Sequence, residues 1–464
     1  MPLRIGVVSG SQGAEWGGGG TLTAILTAAL KSVPTNHEFL FIDELLRPAP
    51  SELPQAIACE IPQPGASEAA QVAPSKIRPP DASATDERMP NPAVLLRSAI
   101  DRGVNVTLRM LPEGFRSRFA KETSRDPPPV PSKQTLPGRC KPTIVELLEQ
   151  AIRRERLDLV WYMIPNGFPV SIPYIATVWD LEHRKQPYFP EVSVTVWTWT
   201  ERELNFGALL PRASVIVTGT EVGKNEVVKY YGVSADNVAV IPFPTPPVDL
   251  RPTADGIRAV LEKYSIKGTF LLYPAQYWPH KNHANLLMSL AVLQQESGFR
   301  PSLVLTGSDW GNRAHVRKLV HELRLSEQVF DLGFVSREEL NCLYAAATAL
   351  VFPSFFGPDN VPPLEAFALG CPVVAADIPG AREQLGRGAL YFDPSEPEQI
   401  AARILEVCRD ADCRRRLIEE GAMISRQRTP GAYISEICKV LDRFEAIRRC
   451  WGERYEATIP VRSS

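Results

Sequence analysis

The chain has 464 residues, too many for one ordinary domain, so two are expected, with room for an insertion. Its 44% hydrophobic and 22% charged content belong to a soluble globular protein and exclude a disordered or membrane-embedded one. With 51 basic against 53 acidic residues the net charge is −2, which argues against a nucleic-acid partner held by a global positive field.

Local basic runs, Arg153-Arg154 and Arg414-Arg415-Arg416, read as solvated helix faces, with contact to an anionic lipid surface left open. The eight cysteines (Cys59, Cys140, Cys342, Cys371, Cys408, Cys413, Cys438 and Cys450) form no CxxC pair and no Cys/His zinc spacing, which points to a reducing compartment and no metal site. No apolar run approaches the ~20 residues of a membrane span. The best candidate, 160–179, is broken by Asn166, Gly167 and three prolines. The N-terminus lacks a signal-peptide core. The expectation is a cytoplasmic protein, with peripheral contact at the inner face of a membrane as the furthest extension.

In chain order, 4–9 reads as a strand, followed by a loop containing Gly17-Gly18-Gly19-Gly20, a helix over 21–30 and a strand over 39–42. That order indicates an α/β domain with a parallel sheet. From about 47 to 91 the chain turns rich in Pro, Ala, Ser, Gln and Glu and reads as a tolerated insertion or surface loop. A helix is expected over 93–102 and a second proline cluster occupies 127–131. Thr143-Ile144-Val145-Glu146 is a capping-box pattern that opens a helix. Strands follow at 159–163, 174–179 and 214–218, a helix at 220–231 and a strand at 238–241. Residues 242–247 are a proline-stiffened linker.

The second half alternates cleanly. Strands at 270–274, 303–305, 329–332, 349–352 and 373–376 are interleaved with helices at 284–295, 313–323, 337–346 and after Pro362-Pro363. This is a second doubly wound domain. Domains 1–247 and 248–430 are therefore expected, with 431–464 as a helix and tail packing back on the first. Ligand sites belong at the carboxyl ends of the strands, in the cleft between domains.

Four segments there carry chemistry. In Tyr273-Pro274-Ala275-Gln276-Tyr277-Trp278-Pro279-His280-Lys281, a lysine at a strand-to-helix turn can set a cation against a diphosphate. In Gly357-Pro358-Asp359-Asn360-Val361-Pro362-Pro363-Leu364-Glu365, a Gly/Pro/Asn loop delivers backbone N–H groups and an acid to a helix start. Gly17 to Gly20 permits close backbone approach to a phosphate. Thr177-Val178-Trp179-Asp180-Leu181-Glu182-His183 ends a strand with an acid and a histidine; a lone histidine of this kind is also a common structural residue.

The 355–374 segment resembles the donor-binding segment of retaining GT-B glycosyltransferases, family 4, and the wording of 278–282 and 380–385 resembles its mannosyltransferase-like members. The resemblance implies GT-B architecture: two Rossmann-like domains facing across a cleft. It implies transfer of a hexose, mannose being the lean, from a nucleotide-diphosphate sugar to a saccharide or lipid-linked acceptor, with no metal and no cofactor. Lys281 then binds the donor pyrophosphate, with Gln276 in the place of the family's arginine and His280 sharing the role. Glu365 takes the ribose hydroxyls. The family's first motif glutamate falls at Gly357, where Asp359 is the nearest substitute. Asn360 and Val361 offer backbone N–H groups, Gly18 and Gly19 meet the phosphate, and Gly307, Phe334 and Val335 lie beside the nucleotide. Asp180 and His183 are the catalytic candidates of the first domain, with Trp179 in the family's histidine position. The substitutions at 276, 357 and 179 keep a second reading open, a catalytically inactive binding or scaffold subunit of a glycan assembly system.

Overall fold

The computed structural model describes residues 2–10, 18–42, 143–195, 197–248 and 251–450, which fall in one unit of the chain. The proline-rich insertion expected over 47–91, the helix expected over 93–102, the cluster at 127–131, Gly17 and the end of the tail lie outside the described residues.

Six parallel strands form the first sheet: β1 (Arg4–Val8), β2 (Glu38–Phe41), β3 (Leu159–Tyr162), β4 (Tyr174–Thr177), β5 (Val215–Thr218) and β6 (Val238–Val240), in the order β2-β1-β3-β4-β5-β6. Its helices are α1 (Gly18–Leu30), α2 (Ile144–Glu155), α3 (Glu182–Lys185), α4 (Pro190–Ser193), α5 (Trp199–Leu209) and α6 (Glu221–Tyr231). The Thr143/Glu146 capping box is formed at the start of α2. Every residue of β3 and β4 is buried, because helices cover both faces of a parallel sheet. Side chains alternate between the two faces with period two. Leu159, Trp161 and Ile175 enter one core cluster, and Val160, Tyr162, Tyr174 and Ala176 the other. Burying each large apolar side chain contributes about 1.5–3 kcal/mol.

The second sheet has the order β12-β11-β10-β7-β8-β9, again all parallel. Its strands are β7 (Phe270–Pro274), β8 (Ser302–Thr306), β9 (Val329–Gly333), β10 (Ala349–Phe352), β11 (Val373–Ala376) and β12 (Ala389–Phe392). Helices α7 (Ala254–Lys263), α8 (His283–Ser297), α9 (Arg313–Glu322), α10 (Arg337–Ala346), α11 (Val361–Leu369), α12 (Ala381–Leu385), α13 (Pro397–Arg409) and α14 (Ala411–Gln427) complete it. Strand order reverses between β7 and β10, so their loops diverge and leave a crevice beyond the strand ends.

A final helix, α15 (Pro430–Arg448), returns to the first sheet. Ile434, Ile437 and Leu441 join the core cluster that holds Leu22 and Leu26 of α1. Asp442 pairs with the buried His37, and Arg448 Nε meets Asp158 Oδ1 at 3.1 Å.

Candidate active site

A cleft of about 830 Å³ lies between the two sheets, within the size range of ligand sites. Both domains line it, and the loops after β7 and β10 supply much of the second-domain wall.

After β7 the chain makes a single 3-10 turn, Pro279–Lys281, and stops it with Asn282 in the left-handed conformation. Asn282 fixes the turn by donating from Nδ2 to the carbonyls of Pro353 (3.0 Å) and Pro394 (2.7 Å). The Tyr273 hydroxyl holds the Lys281 carbonyl. The Lys281 ammonium sits 5.4 Å from the centre of the Phe352 ring, and burial lowers its pKa to about 8, against the pull of Glu191 and Asp180. It therefore stays protonated at neutral pH, poorly solvated and ready for an anion.

His280 stacks on Phe356 with ring centres 3.9 Å apart. Burial, then Lys281, lowers its pKa to about 4, so the ring is neutral. Its Nδ1 donates to Glu191 of α4, and its backbone N–H donates to the same carboxylate oxygen at 2.8 Å. One carboxylate of the first domain thus anchors the second domain's Pro279–Lys281 turn. Gln276 also lines the cleft, where its Oε1 accepts from Trp278 Nε1 at 3.1 Å.

After β10 the loop turns at Gly357, whose φ of 115° is closed to other residues without strain. Glu365 lies in the second turn of α11, not at its start, so the helix dipole does not hold it. Tyr344 donates to its Oε2 at 2.9 Å and Arg337 Nη1 pairs with its Oε1 at 2.5 Å. The Asn360 N–H expected to be free for a ligand donates instead to Gln384 Oε1 at 3.0 Å. Asp359 also lines the cleft, with no hydrogen-bond partner on either carboxylate oxygen. Both carboxylate oxygens are shut from solvent against Gly219 of the first domain, and burial raises its pKa to about 7. It stands where the cleft meets the domain seam, at which Glu383 also caps α6 by accepting from the N–H groups of Glu221 (2.6 Å) and Val222 (3.1 Å).

Gly307 lines the cleft with φ 144°, and a Cβ there would fall 2.2 Å from the Ala275 carbonyl oxygen. Phe334 is exposed and Val335 buried, both on the cleft wall. Gly18 and Gly19 stand in the first turn of α1 rather than in a loop; Gly20 and Thr21, one step on, line the cleft.

On the first domain Asp180 reaches the cleft and accepts from the Glu182 N–H. Trp179 also lines it, packed edge-on against Phe243. His183 does not. Its ring is fully buried against Phe206, with Nε2 on Glu203 at 2.7 Å, and burial lowers its pKa. The catalytic role expected for His183 is corrected to a structural one.

Sequence reasoning missed three charged cleft side chains, Glu191, Arg202 and Arg337. Pro190 before Glu191 at a helix start was the one local signal; its value depends on His280, which is 89 positions away. Among the described residues, His37, Asp442 and Glu445 are the one group close enough to share a metal ion. None of them lines the cleft, and His37 Nδ1 accepts the Leu3 N–H.

Residues 258–423 match the family described as "Glycosyl transferases group 1". The matched segment lies in the second domain of a GT-B fold. It is 28% identical over 226 residues to the O-antigen chain mannosyltransferase B of Escherichia coli, covering 47% of this chain and 58% of that protein. To the O-antigen chain mannosyltransferase RfbU of Salmonella typhimurium it is 30% identical over 202 residues, 43% of this chain and 53% of that one. The chain thus spans a little over half the length of these relatives. The fold is shared with Anabaena HepE, solved with UDP and glucose (TM-score 0.55, 18% identity, 64% of this chain and 81% of that one). It is also shared with WaaG, a glycosyltransferase involved in lipopolysaccharide biosynthesis (TM-score 0.51, 14% identity, 65% and 84%).

Proposed function

We propose that this GT-B protein transfers a hexose, mannose in the first instance, from a nucleotide-diphosphate sugar to a saccharide or lipid-linked saccharide in glycan assembly, with retention of configuration. The observation that carries the reading is the switch point of the second sheet. There the loop after β7 brings the poorly solvated Lys281 ammonium, and the loop and helix after β10 bring the near-buried Glu365, to one cleft wall. The two O-antigen mannosyltransferases support the sugar and the kind of product, and the UDP of HepE supports a nucleotide in such a cleft.

In this reading the bond from the sugar's anomeric carbon to the diphosphate breaks as the acceptor hydroxyl approaches the same face. The hydroxyl proton passes to the departing diphosphate oxygen. Charge that grows on the diphosphate is met by Lys281, already dehydrated and held by the Asn282 turn, so little reorganisation is needed. Metal independence is supported by the same ammonium, which supplies positive charge where the leaving group needs it. Contacts across the seam, Glu191 to His280 and Glu383 to α6, favour a closed cleft that keeps water from the donor. Among the described residues no helix is long and apolar enough to cross a membrane, so a lipid-linked acceptor would be met at a surface.

Thermal melts with UDP, GDP, ADP and their hexose conjugates, followed by product analysis in EDTA with saccharide acceptors, test the reading. Stabilisation by one base is expected, worth about 2.7 kcal/mol at 100-fold over Kd, with retained anomeric configuration in the product. A well-folded protein that none of these ligands stabilises overturns it and favours the scaffold reading.

A further inference from the structure

Arg337 opens α10, the helix after β9. A cation in the first turn opposes the helix dipole, and the side chain does not fold back on its own helix. It reaches across the cleft wall instead. Nη1 holds Glu365 Oε1 at 2.5 Å and Nη2 donates to Thr21 Oγ1 of the first domain at 3.1 Å. Thr21 follows Gly20 near the start of α1, so the guanidinium lies beside a helix start where backbone N–H groups favour anions.

Each Glu365 oxygen therefore has a protein donor before any ligand arrives, Arg337 on Oε1 and Tyr344 on Oε2. The two donors are not equivalent. The Tyr344 ring is fully buried on the same half of the molecule, whereas the Arg337 side chain is 47% exposed and tied across the seam. A carboxylate has lone pairs for further donors, and a ligand that brings hydroxyls to Glu365 competes with the exposed partner before the buried one. The displaced guanidinium keeps its charge and its fork of donors. The nearest work for it is an anionic group of the same ligand.

We infer that Arg337 is a positioning and specificity residue of the donor site. It holds Glu365 while the cleft is free of nucleotide and passes to the diphosphate once ribose hydroxyls take Glu365. This rests on the donor-site reading above and deepens it, because it makes the protein discriminate a nucleoside diphosphate from a nucleoside through one side chain. A nucleoside must displace Arg337 without offering it a new partner. A nucleoside diphosphate offers one.

The test is calorimetric titration of the wild type, Arg337→Gln and Arg337→Lys with the preferred nucleoside diphosphate and the matching nucleoside, each protein first checked by thermal melt. Arg337→Gln is expected to weaken the diphosphate by about 10- to 100-fold, as for loss of a charged hydrogen bond. The nucleoside should bind unchanged or tighter, since its competitor for Glu365 is gone. Arg337→Lys should recover part of the loss, keeping charge but not the fork. Equal weakening of both ligands would make Arg337 merely a prop for Glu365 and overturn the inference, as would undiminished diphosphate binding. A wild type that binds no nucleoside diphosphate overturns the donor-site reading itself, and this inference with it; the variant results separate the two failures.

Discussion

Two segments of the chain are built alike and used differently. In one, the fully buried strand β4 leads within a few residues to a short helix carrying His183; in the other, the fully buried strand β7 leads to a short turn carrying Lys281. The histidine turns inward onto Phe206 and Glu203, while the lysine faces the cleft. The sheets explain the difference. β4 lies between β3 and β5, its neighbours in sequence, and only the first residues of its connection, Trp179 and Asp180, reach the cleft before the chain turns inward at His183. β7 lies beside β10, where the order reverses and the loops part. Place in the sheet and place along the connection together decide which side chain faces the cleft.

The largest effect that would sharpen this contrast is at Lys281. Lys281→Ala is expected to lower kcat/KM for transfer by about 100- to 1,000-fold, the size of losing a preorganised electrostatic donor. Folded stability should not fall with it, because burial disfavours the ammonium in the free protein. Turnover near that of the wild type would remove Lys281 from the mechanism.

Next comes the other half of the comparison. His183→Ala should cost about 2–3 kcal/mol of stability in denaturant unfolding, as a buried ring is deleted beside Phe206. Transfer by the folded fraction should stay within about twofold, since nothing in the cleft touches the ring. An intact melting curve with lost activity would break the contrast.

These outcomes bear on what the sequence alone could tell. Alternating apolar strands and short connections made both parallel sheets legible, and with them the cleft and the segments at its rim. Lys281 followed from its place at a strand-to-helix turn, and Glu365 from the Pro362-Pro363 segment and its family resemblance, although it stands a turn further into α11 than expected. His183 misled because its partners, Glu203 and Phe206, are 20 and 23 positions away and leave no local trace. The setting of Asp359 was hidden for the same reason, since Gly219, against which its carboxylate is buried, belongs to the first domain. Glu191 was invisible because its partner, His280, belongs to the opposite domain, and Arg337 because its partners, Glu365 and Thr21, are 28 and 316 positions away. Contacts within a βα unit can be read from spacing; contacts between the two sheets cannot.

A pH profile probes the lysine without a mutation. Its pKa falls from 10.5 to about 8 through burial, so kcat/KM should decline about tenfold per unit above pH 8 as the cation is lost. Stability moves the other way. Between about 8 and 10.5 the unfolded chain keeps this proton and the folded one has released it, so the contribution of Lys281 to stability rises with pH across that window. Bound diphosphate holds the proton more tightly, and the limb in kcat should lie at higher pH than that in kcat/KM. Superimposed limbs would show that Lys281 does not face the diphosphate.

The smallest effect tests the β10 loop, the other rim of the crevice. Gly357→Ala places a Cβ at φ 115° and 2.7 Å from Asn360 Oδ1, whose amide nitrogen also holds the Gly357 carbonyl. The strain should cost about 1–3 kcal/mol of stability, read as a lowered melting temperature. Gly357→Glu, which restores the residue type that family 4 resemblance puts here, meets the same backbone barrier and should not tighten donor binding. Tighter binding by that variant would mean the loop can leave its left-handed turn at little cost, and that the crevice rim is set by side-chain chemistry instead of by the sheet order beneath it.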